Sequence, residues 1–174
     1  PFVLIVGRKA ISKGYRDTIS AVAALRAGAW PDLRIVMIGP DDDGLAITES
    51  FVDYLGPVDR SVLRGAYRSC SVVVNMSRSE SFGIVLLEAG LASRPVIANA
   101  TCPAFAELVS DGENGFLAAP SSLPDRLSEI LGRPALAKSM GQNGRQRALA
   151  FSWDEIGKKF VQHCHEVISM RTAQ

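Results

Sequence analysis

The sequence predicts an α/β domain in which six strands form a parallel, doubly wound sheet followed by C-terminal helices. Short apolar runs alternate with longer helical stretches as far as residue 118, the rhythm of βαβ units. Two runs, Leu4-Ile5-Val6 and Val72-Val73-Val74, are continuously apolar, which is typical of strands covered by helices on both faces. After Pro120 the pattern is entirely helical.

The predicted strands are residues 2–6, 33–38, 52–55, 71–75, 95–98 and 116–118. The predicted helices are residues 15–26, a helix with Asp59 as N-cap, and residues 83–92, 104–109, 123–131, 135–150 and 153–170. The last helix carries an apolar stripe of residues spaced three or four apart: Ile156, Phe160, Cys164, Val167 and Ile168. We expect this domain or an absent partner to bury the stripe.

Length and composition predict one ordinary globular domain over residues 1–174, with 47% hydrophobic and 21% charged residues. The net charge of +1 gives no global attraction to nucleic acid or anionic lipid. No apolar run approaches the roughly 20 residues of a membrane span. Three widely spaced cysteines, Cys70, Cys102 and Cys164, favour buried, reduced thiols and a cytoplasmic location.

Ligands of open α/β sheets bind at the carboxyl ends of the strands, so the loops there are the places to search. The loop after the fourth strand runs through Glu80 and Ser81-Phe82-Gly83 into a helix that bears Glu88. A helix N-terminus with small residues can bind phosphate, and carboxylates accept hydrogen bonds from sugar hydroxyls. Two carboxylates flanking a phosphate site suit a nucleotide sugar. The alternative is that Glu80 caps the helix and Glu88 faces solvent.

The loop after the first strand carries two cations, Arg8 and Lys13, within the segment from Gly7 to Gly14. Both could bind one diphosphate, because each charge-assisted hydrogen bond contributes about 1.5–3 kcal/mol. The alternative for this loop is a pair of solvated surface cations.

Several short motifs recur in an order that resembles the group 1 glycosyltransferases. They are Gly7-Arg8 with Lys13-Gly14, Gly56-Pro57-Val58, the run from Ser77 to Ala89, Pro95-Val96-Ile97, Glu107, Asp111-Gly112 and Gly115. The stretch from Glu80 to Glu88 resembles that family's E-x7-E motif. The resemblance implies a retaining enzyme of the GT-B fold, of which this chain is the Rossmann-like, donor-binding half.

By that resemblance Arg8, Lys13 and Glu80 form the catalytic set, in which the cations neutralise the donor diphosphate and Glu80 holds hydroxyls of the transferred sugar. Glu88 holds the ribose hydroxyls. The remaining donor contacts fall on Gly7, Val58, Ser81, Phe82, Gly83 and Ile84, with Val58 against the nucleobase. The substrate is a nucleoside diphosphate sugar, and the resemblance implies neither a cofactor nor a metal.

The sequence departs from the family where Pro103-Ala104 replaces the usual Gly-Gly before Glu107, and where Ser93 replaces a glycine. Pro103 has no N–H to offer a ligand, which leaves the identity of the donor open.

Other signals argue for different chemistry less well. We interpret Asp41, Asp42 and Asp43 as a solvated turn rather than a metal site. His163 and His165 stand two apart on a helix and point in different directions, so they cannot share a metal ion. The first strand is not followed by G-x-G-x-x-G, which argues against a dinucleotide-dependent dehydrogenase.

The resemblance therefore implies metal-independent transfer of a hexose from a nucleoside diphosphate sugar to an acceptor. The acceptor would bind to a missing N-terminal domain of the same protein, toward which the terminal helix at about 151–174 would pack. This fragment alone would then be inactive, and that domain could also mediate peripheral membrane association. The alternatives are a non-catalytic nucleotide-sugar-binding module and another GT-B enzyme, such as a sugar-nucleotide epimerase or a phosphorylase.

Overall fold

Six strands lie side by side in one sheet: β1 (Phe2–Val6), β2 (Arg34–Ile38), β3 (Val52–Gly56), β4 (Val72–Asn75), β5 (Val96–Asn99) and β6 (Gly115–Ala118). Their order is β3-β2-β1-β4-β5-β6, and every neighbouring pair is parallel. This computed structural model describes residues 1–172, with side chains described to residue 170. It confirms the predicted six-stranded, doubly wound parallel sheet.

The helices are α1 (Tyr15–Arg26), α2 (Arg60–Ser69), α3 (Ile84–Leu91), α4 (Pro103–Ala106), α5 (Leu123–Gly132), α6 (Pro134–Leu149) and α7 (Trp153–Thr172). Short 3₁₀ turns occupy Ile11–Lys13 and Pro120–Ser122. The bounds agree with those predicted from the sequence to within about two residues, except at 104–109. There α4 ends at Ala106, and the chain continues as a turn in which Leu108 and Val109 both donate their N–H groups to the carbonyl of Phe105.

The apolar strands are buried because helices cover both faces of the sheet. Val72 and Val74 belong to a core cluster that includes residues of α1, α5 and α6. Val73, between them, belongs to a second cluster that includes residues of α2, α3 and α4. Successive side chains of a strand point to opposite faces, so a strand between two helical layers has no polar face.

The strand order reverses at β1. The chain passes from β1 outward to β2 and β3, and then crosses to β4 on the other side of β1, where Leu4 lies opposite Val73. The carboxyl ends of β1 and β4 are therefore neighbours, and α1 and α3 both begin near them. Ligands of open α/β sheets bind at such a reversal.

The terminal helix α7 exposes most of its surface. Trp153 is 89% exposed and Phe160 is 68% exposed, so the described domain leaves the predicted apolar stripe largely uncovered. Cys70 and Cys102 are buried as predicted, but Cys164 on this helix is exposed, which corrects the prediction for that residue. No helix within residues 1–172 is long and apolar enough to cross a membrane.

Candidate functional site

A cavity of about 370 Å³ lies at the strand-order reversal, between the loops that follow β1 and β4. Its lining includes most of the residues singled out in the sequence, namely Gly7, Arg8, Lys13, Glu80, Ser81, Phe82, Gly83 and Ile84. The structure thus brings two loops together that are about 70 residues apart in the chain, as the position of each after a parallel strand predicts.

Close contact between the two loops depends on Gly14. This residue adopts φ of +67° as it begins α1, and a Cβ atom there would lie 2.2 Å from the carbonyl oxygen of Met76. An L side chain would clash with the backbone that follows β4, and it would also be strained at this φ. Arg78 donates its N–H to the carbonyl of Ser12 at 3.2 Å, which joins the loops a second time.

Both predicted cations have a carboxylate partner in the chain. Lys13 Nζ lies 2.7 Å from Glu80 Oε1, and both side chains are only about one fifth exposed. Arg8 Nη1 lies 2.9 Å from Asp42 Oδ2 in a more exposed pair at the rim of the cavity. An anionic ligand would therefore compete with Glu80 and Asp42 for these cations, while hydroxyl groups could share the acceptors that the carboxylates offer.

The start of α3 forms the floor of the cavity. Gly83 is the N-cap residue with φ of +95°, and the first N–H groups of an α-helix have no partner within the helix. The helix dipole adds positive potential at this end. A Cβ atom on Gly83 would lie 2.9 Å from the buried ring of Phe105, which belongs to α4 together with Pro103-Ala104. The sequence pattern did not reveal Phe105, which packs behind Gly83 without lining the cavity.

Two predicted residues do not line this cavity. Glu88 lies one turn into α3 and accepts a hydrogen bond from Tyr67 Oη of α2 at 2.7 Å, so it faces the groove between the two helices. Burial, and then the Glu88 carboxylate, raise the pKa of Tyr67 well above its usual range, so its hydroxyl remains a donor. Val58 packs, partly buried, against the core on the α2 and α3 side. Tyr67 is a second residue that the sequence pattern did not reveal.

The acidic loop after β2 is more than the solvated turn that we expected. Lys9, whose side chain is 1% exposed, lies 2.7 Å from Asp41 Oδ1 and also pairs with Asp43. Burial acts to lower the pKa of Lys9, but hydrogen bonds and charges of these two aspartates outweigh it and the pKa is raised. The hydrogen bond from Lys9 is the main reason that the pKa of Asp43 falls to about 2. Among the described residues, no three His, Cys, Asp or Glu side chains are grouped to hold a metal ion.

Comparison with known families decides what kind of protein this is, because residues 1–147 match the model described as "Glycosyl transferases group 1". The chain belongs to the group 1 glycosyltransferases. A glycosyltransferase of Methanocaldococcus jannaschii is 36% identical over 109 residues, which cover 61% of this chain and 31% of that protein. The D-inositol 3-phosphate glycosyltransferase of Kineococcus radiotolerans is 29% identical, and the match covers 99% of this chain and 46% of that protein.

Solved structures share the fold of this glycosyltransferase domain. Sucrose-phosphate synthase from Thermosynechococcus elongatus superposes with a TM-score of 0.81 at 28% identity, over 98% of this chain and 46% of that one. The C-terminal domain of a group 1 glycosyl transferase from Francisella tularensis superposes with a TM-score of 0.74 at 25% identity. The superposition covers 86% of this chain and 85% of that domain. The chain therefore spans less than half of the curated relatives above but most of an isolated C-terminal domain.

Proposed function

We propose that this domain binds the nucleoside diphosphate sugar of a retaining, metal-independent glycosyltransferase that transfers a hexose to an acceptor. One observation carries the proposal: Arg8, Lys13, Glu80 and the start of α3 surround a single cavity at the strand-order reversal. Two cations and a helix N-terminus suit a diphosphate, and the adjacent carboxylate suits the hydroxyls of a sugar.

The chemistry we infer is electrostatic. Breaking the bond between the sugar and the diphosphate leaves negative charge on the departing phosphate oxygens. Arg8, Lys13 and the N–H groups at the start of α3 would stabilise that charge more strongly than they stabilise the intact donor, which is what accelerates a reaction. In this proposal Lys13 exchanges Glu80 for phosphate when the donor binds, and Glu80 then accepts hydrogen bonds from the sugar.

The nucleoside would lie beside the diphosphate, toward α2. Glu88 can accept hydrogen bonds from ribose hydroxyls, and the bond from Tyr67 orients its carboxylate. The base would then reach Val58 after β3. Separate surroundings for Glu80 and Glu88 fit this proposal, since the two carboxylates hold hydroxyls of different sugars at opposite ends of one diphosphate.

The activity of the whole protein is part of the proposal. We infer that the acceptor binds to an N-terminal domain that covers the apolar face of α7, and that the fragment alone transfers no sugar. The longer protein would act in the cytoplasm. D-inositol 3-phosphate is the first acceptor to test, because the Kineococcus relative is named for it.

Two alternatives use the same cavity. A non-catalytic module would bind the nucleotide sugar without turnover, and an epimerase or phosphorylase of the GT-B fold would change the donor without an inositol acceptor. Product analysis of the longer protein with UDP-glucose and inorganic phosphate, with and without D-inositol 3-phosphate, separates them. A glycosylated acceptor supports transfer, an isomerised or phosphorolysed donor supports the epimerase or phosphorylase, and an unchanged donor supports the non-catalytic module.

Calorimetry with UDP and UDP-glucose tests the site in this chain. We expect Glu88→Ala to weaken the binding of both ligands by at least about 10-fold, because one hydrogen bond to a charged acceptor contributes about 1.5–3 kcal/mol. Glu80→Ala should leave the affinity for UDP unchanged or higher, since it frees Lys13, and should remove the preference for UDP-glucose over UDP.

Glu113→Ala is the matched control, because Glu113 is exposed in the turn that precedes the edge strand β6, at the amino ends of the strands and away from the cavity. A wild-type affinity of Glu88→Ala for UDP, or an unchanged preference of Glu80→Ala for UDP-glucose over UDP, would refute the assigned roles. A thermal-shift panel with UDP-, GDP- and ADP-sugars shows which nucleobase the site prefers, because a bound ligand stabilises the folded chain and raises its Tm.

A further inference from the structure

The loops after β1 and β2 remain paired beyond the ends of their strands. Gly7 donates its N–H to the carbonyl of Ile38 at 2.9 Å, and Lys9 donates to that of Pro40 at 2.8 Å. Asp42 then donates its N–H to the carbonyl of Lys9 at 3.0 Å. The acidic loop, residues 41–45, is thus attached to the backbone that carries Arg8.

The Lys9 side chain holds the acidic loop from its buried side. Its ammonium donates to Asp41, to Asp43 and to the carbonyl of Leu45 at 2.8 Å, which uses all three of its N–H groups. Tyr15 Oη donates to the other Asp43 oxygen at 2.9 Å. The ring centroids of Tyr15 and Tyr54 each lie 5.8 Å from the ammonium, and the Lys9 side chain is 1% exposed.

Arg8 and Lys9 engage the same loop from opposite sides. Arg8 lines the cavity and pairs with Asp42, whereas Lys9 is buried and pairs with the two aspartates on either side of Asp42. The ammonium of Lys9 and the backbone bonds between residues 9, 40 and 42 thus act together on the loop segment that carries the Asp42 carboxylate and its bound guanidinium. An apolar side chain of similar length could fill the space between the tyrosines, but it would leave the carboxylates of Asp41 and Asp43 without their cation.

We propose that Lys9 is a positioning residue for donor binding: its ammonium fixes the acidic loop so that Asp42 holds Arg8 at the rim of the cavity, ready to exchange onto the diphosphate. The step in which Arg8 leaves Asp42 and binds the diphosphate rests on the proposed function. The hold of Lys9 on the loop does not, and the two parts have separate measurements.

Amide hydrogen exchange without ligand tests the hold on the loop. The N–H groups of Asp42, Gly44 and Leu45 are bonded to Lys9, Asp41 and Asp43. In Lys9→Met we expect these amides to exchange at least about 10-fold faster, because local opening no longer breaks the buried ion pairs. Lys159→Met, on exposed α7, is the control and should leave them unchanged. Unchanged exchange in a folded Lys9→Met chain would overturn the proposal.

A double-mutant cycle with UDP tests the coupling to Arg8. We expect Lys9→Met and Arg8→Ala each to weaken the binding of UDP by about 10-fold, which corresponds to the loss of one charge-assisted hydrogen bond. The double variant should bind UDP about as weakly as Arg8→Ala alone. Once Arg8 is removed there is no guanidinium for Lys9 to position, so Lys9→Met causes little further loss of affinity. A purely structural lysine would give additive losses, and additivity would overturn the proposal.

A second variant keeps the test decisive if Lys9→Met fails to fold. Asp43→Asn preserves the shape of the side chain but removes one of the two charges that hold Lys9, and it should show the same non-additivity with Arg8→Ala at smaller amplitude. Failure of the wild-type chain to bind UDP, GDP or ADP would refute the proposed function, and the exchange experiment would still decide whether Lys9 holds the loop.

Discussion

At the scale of single residues, the buried ion pair between Lys9 and Asp43 links stability to pH. The hydrogen bond from Lys9 lowers the pKa of Asp43 from 3.8 to about 2. A carboxyl group whose pKa is lower in the folded chain stabilises the fold at pH values above its unfolded pKa. That contribution is lost as the pH falls from about 4 through about 2, where the folded chain also takes up the proton.

We therefore expect Asp43→Asn to lower the free energy of unfolding at pH 7, and to lose less of it than wild type between pH 4 and pH 2. Urea unfolding at pH 7, 4, 3 and 2 measures both effects. Asp32→Asn, at an exposed position before β2, is the control and should follow the wild-type curve. Parallel pH dependences for wild type and Asp43→Asn would show that this ion pair does not carry the acid sensitivity.

At the scale of elements, the site depends on how closely the start of α1 approaches the loop after β4. Gly14 and Gly56 have nearly the same positive φ, +67° and +66°. A Cβ atom at Gly14 would meet the Met76 backbone, whereas nothing lies within 4 Å of one at Gly56. The pair thus separates the cost of the left-handed conformation from the cost of a steric clash.

Gly56→Ala should destabilise the chain by about 1 kcal/mol, the cost of a non-glycine residue in this region. Gly14→Ala should destabilise it by at least about 2 kcal/mol, because backbone strain adds to the same conformational cost. Gly14→Ala should also weaken the binding of UDP, because Lys13 must move when the adjacent residue 14 moves. Urea unfolding and calorimetry measure the two effects, and equal destabilisation by both substitutions would contradict the argument.

The elements and the site differ in how much the sequence reveals. Continuous apolar runs such as Val72-Val73-Val74 predict buried parallel strands, and the loops at their carboxyl ends then predict where Arg8 and Glu80 meet. The contact of Lys9 with Asp43 joins residues 34 apart, and that of Tyr67 with Glu88 joins residues 21 apart. Neither spacing repeats with a helix or a strand, so local periodicity contains no signal for these pairs.

At the scale of the whole molecule, α7 lies outside the hydrophobic core of the domain. The sheet and the helices up to α6 contain both buried clusters, and α7 contributes no buried residue to either within the described side chains. Its exposed apolar residues include Trp153, Phe160 and Ile168. Such a contiguous apolar face is typical of a surface that another domain covers. The relatives, which are more than twice as long, leave room for that domain.

We expect the 174-residue chain to bind UDP-glucose but to form no product with D-inositol 3-phosphate, because a donor site alone cannot place an acceptor against the sugar. The measurement is transfer of labelled glucose, with the longer protein as positive control. Adding the separately produced remainder of the protein should restore transfer, and Phe160→Asp with Ile168→Asp on α7 should abolish that restoration without changing UDP affinity. Full activity of the isolated chain would show that this domain holds the acceptor as well.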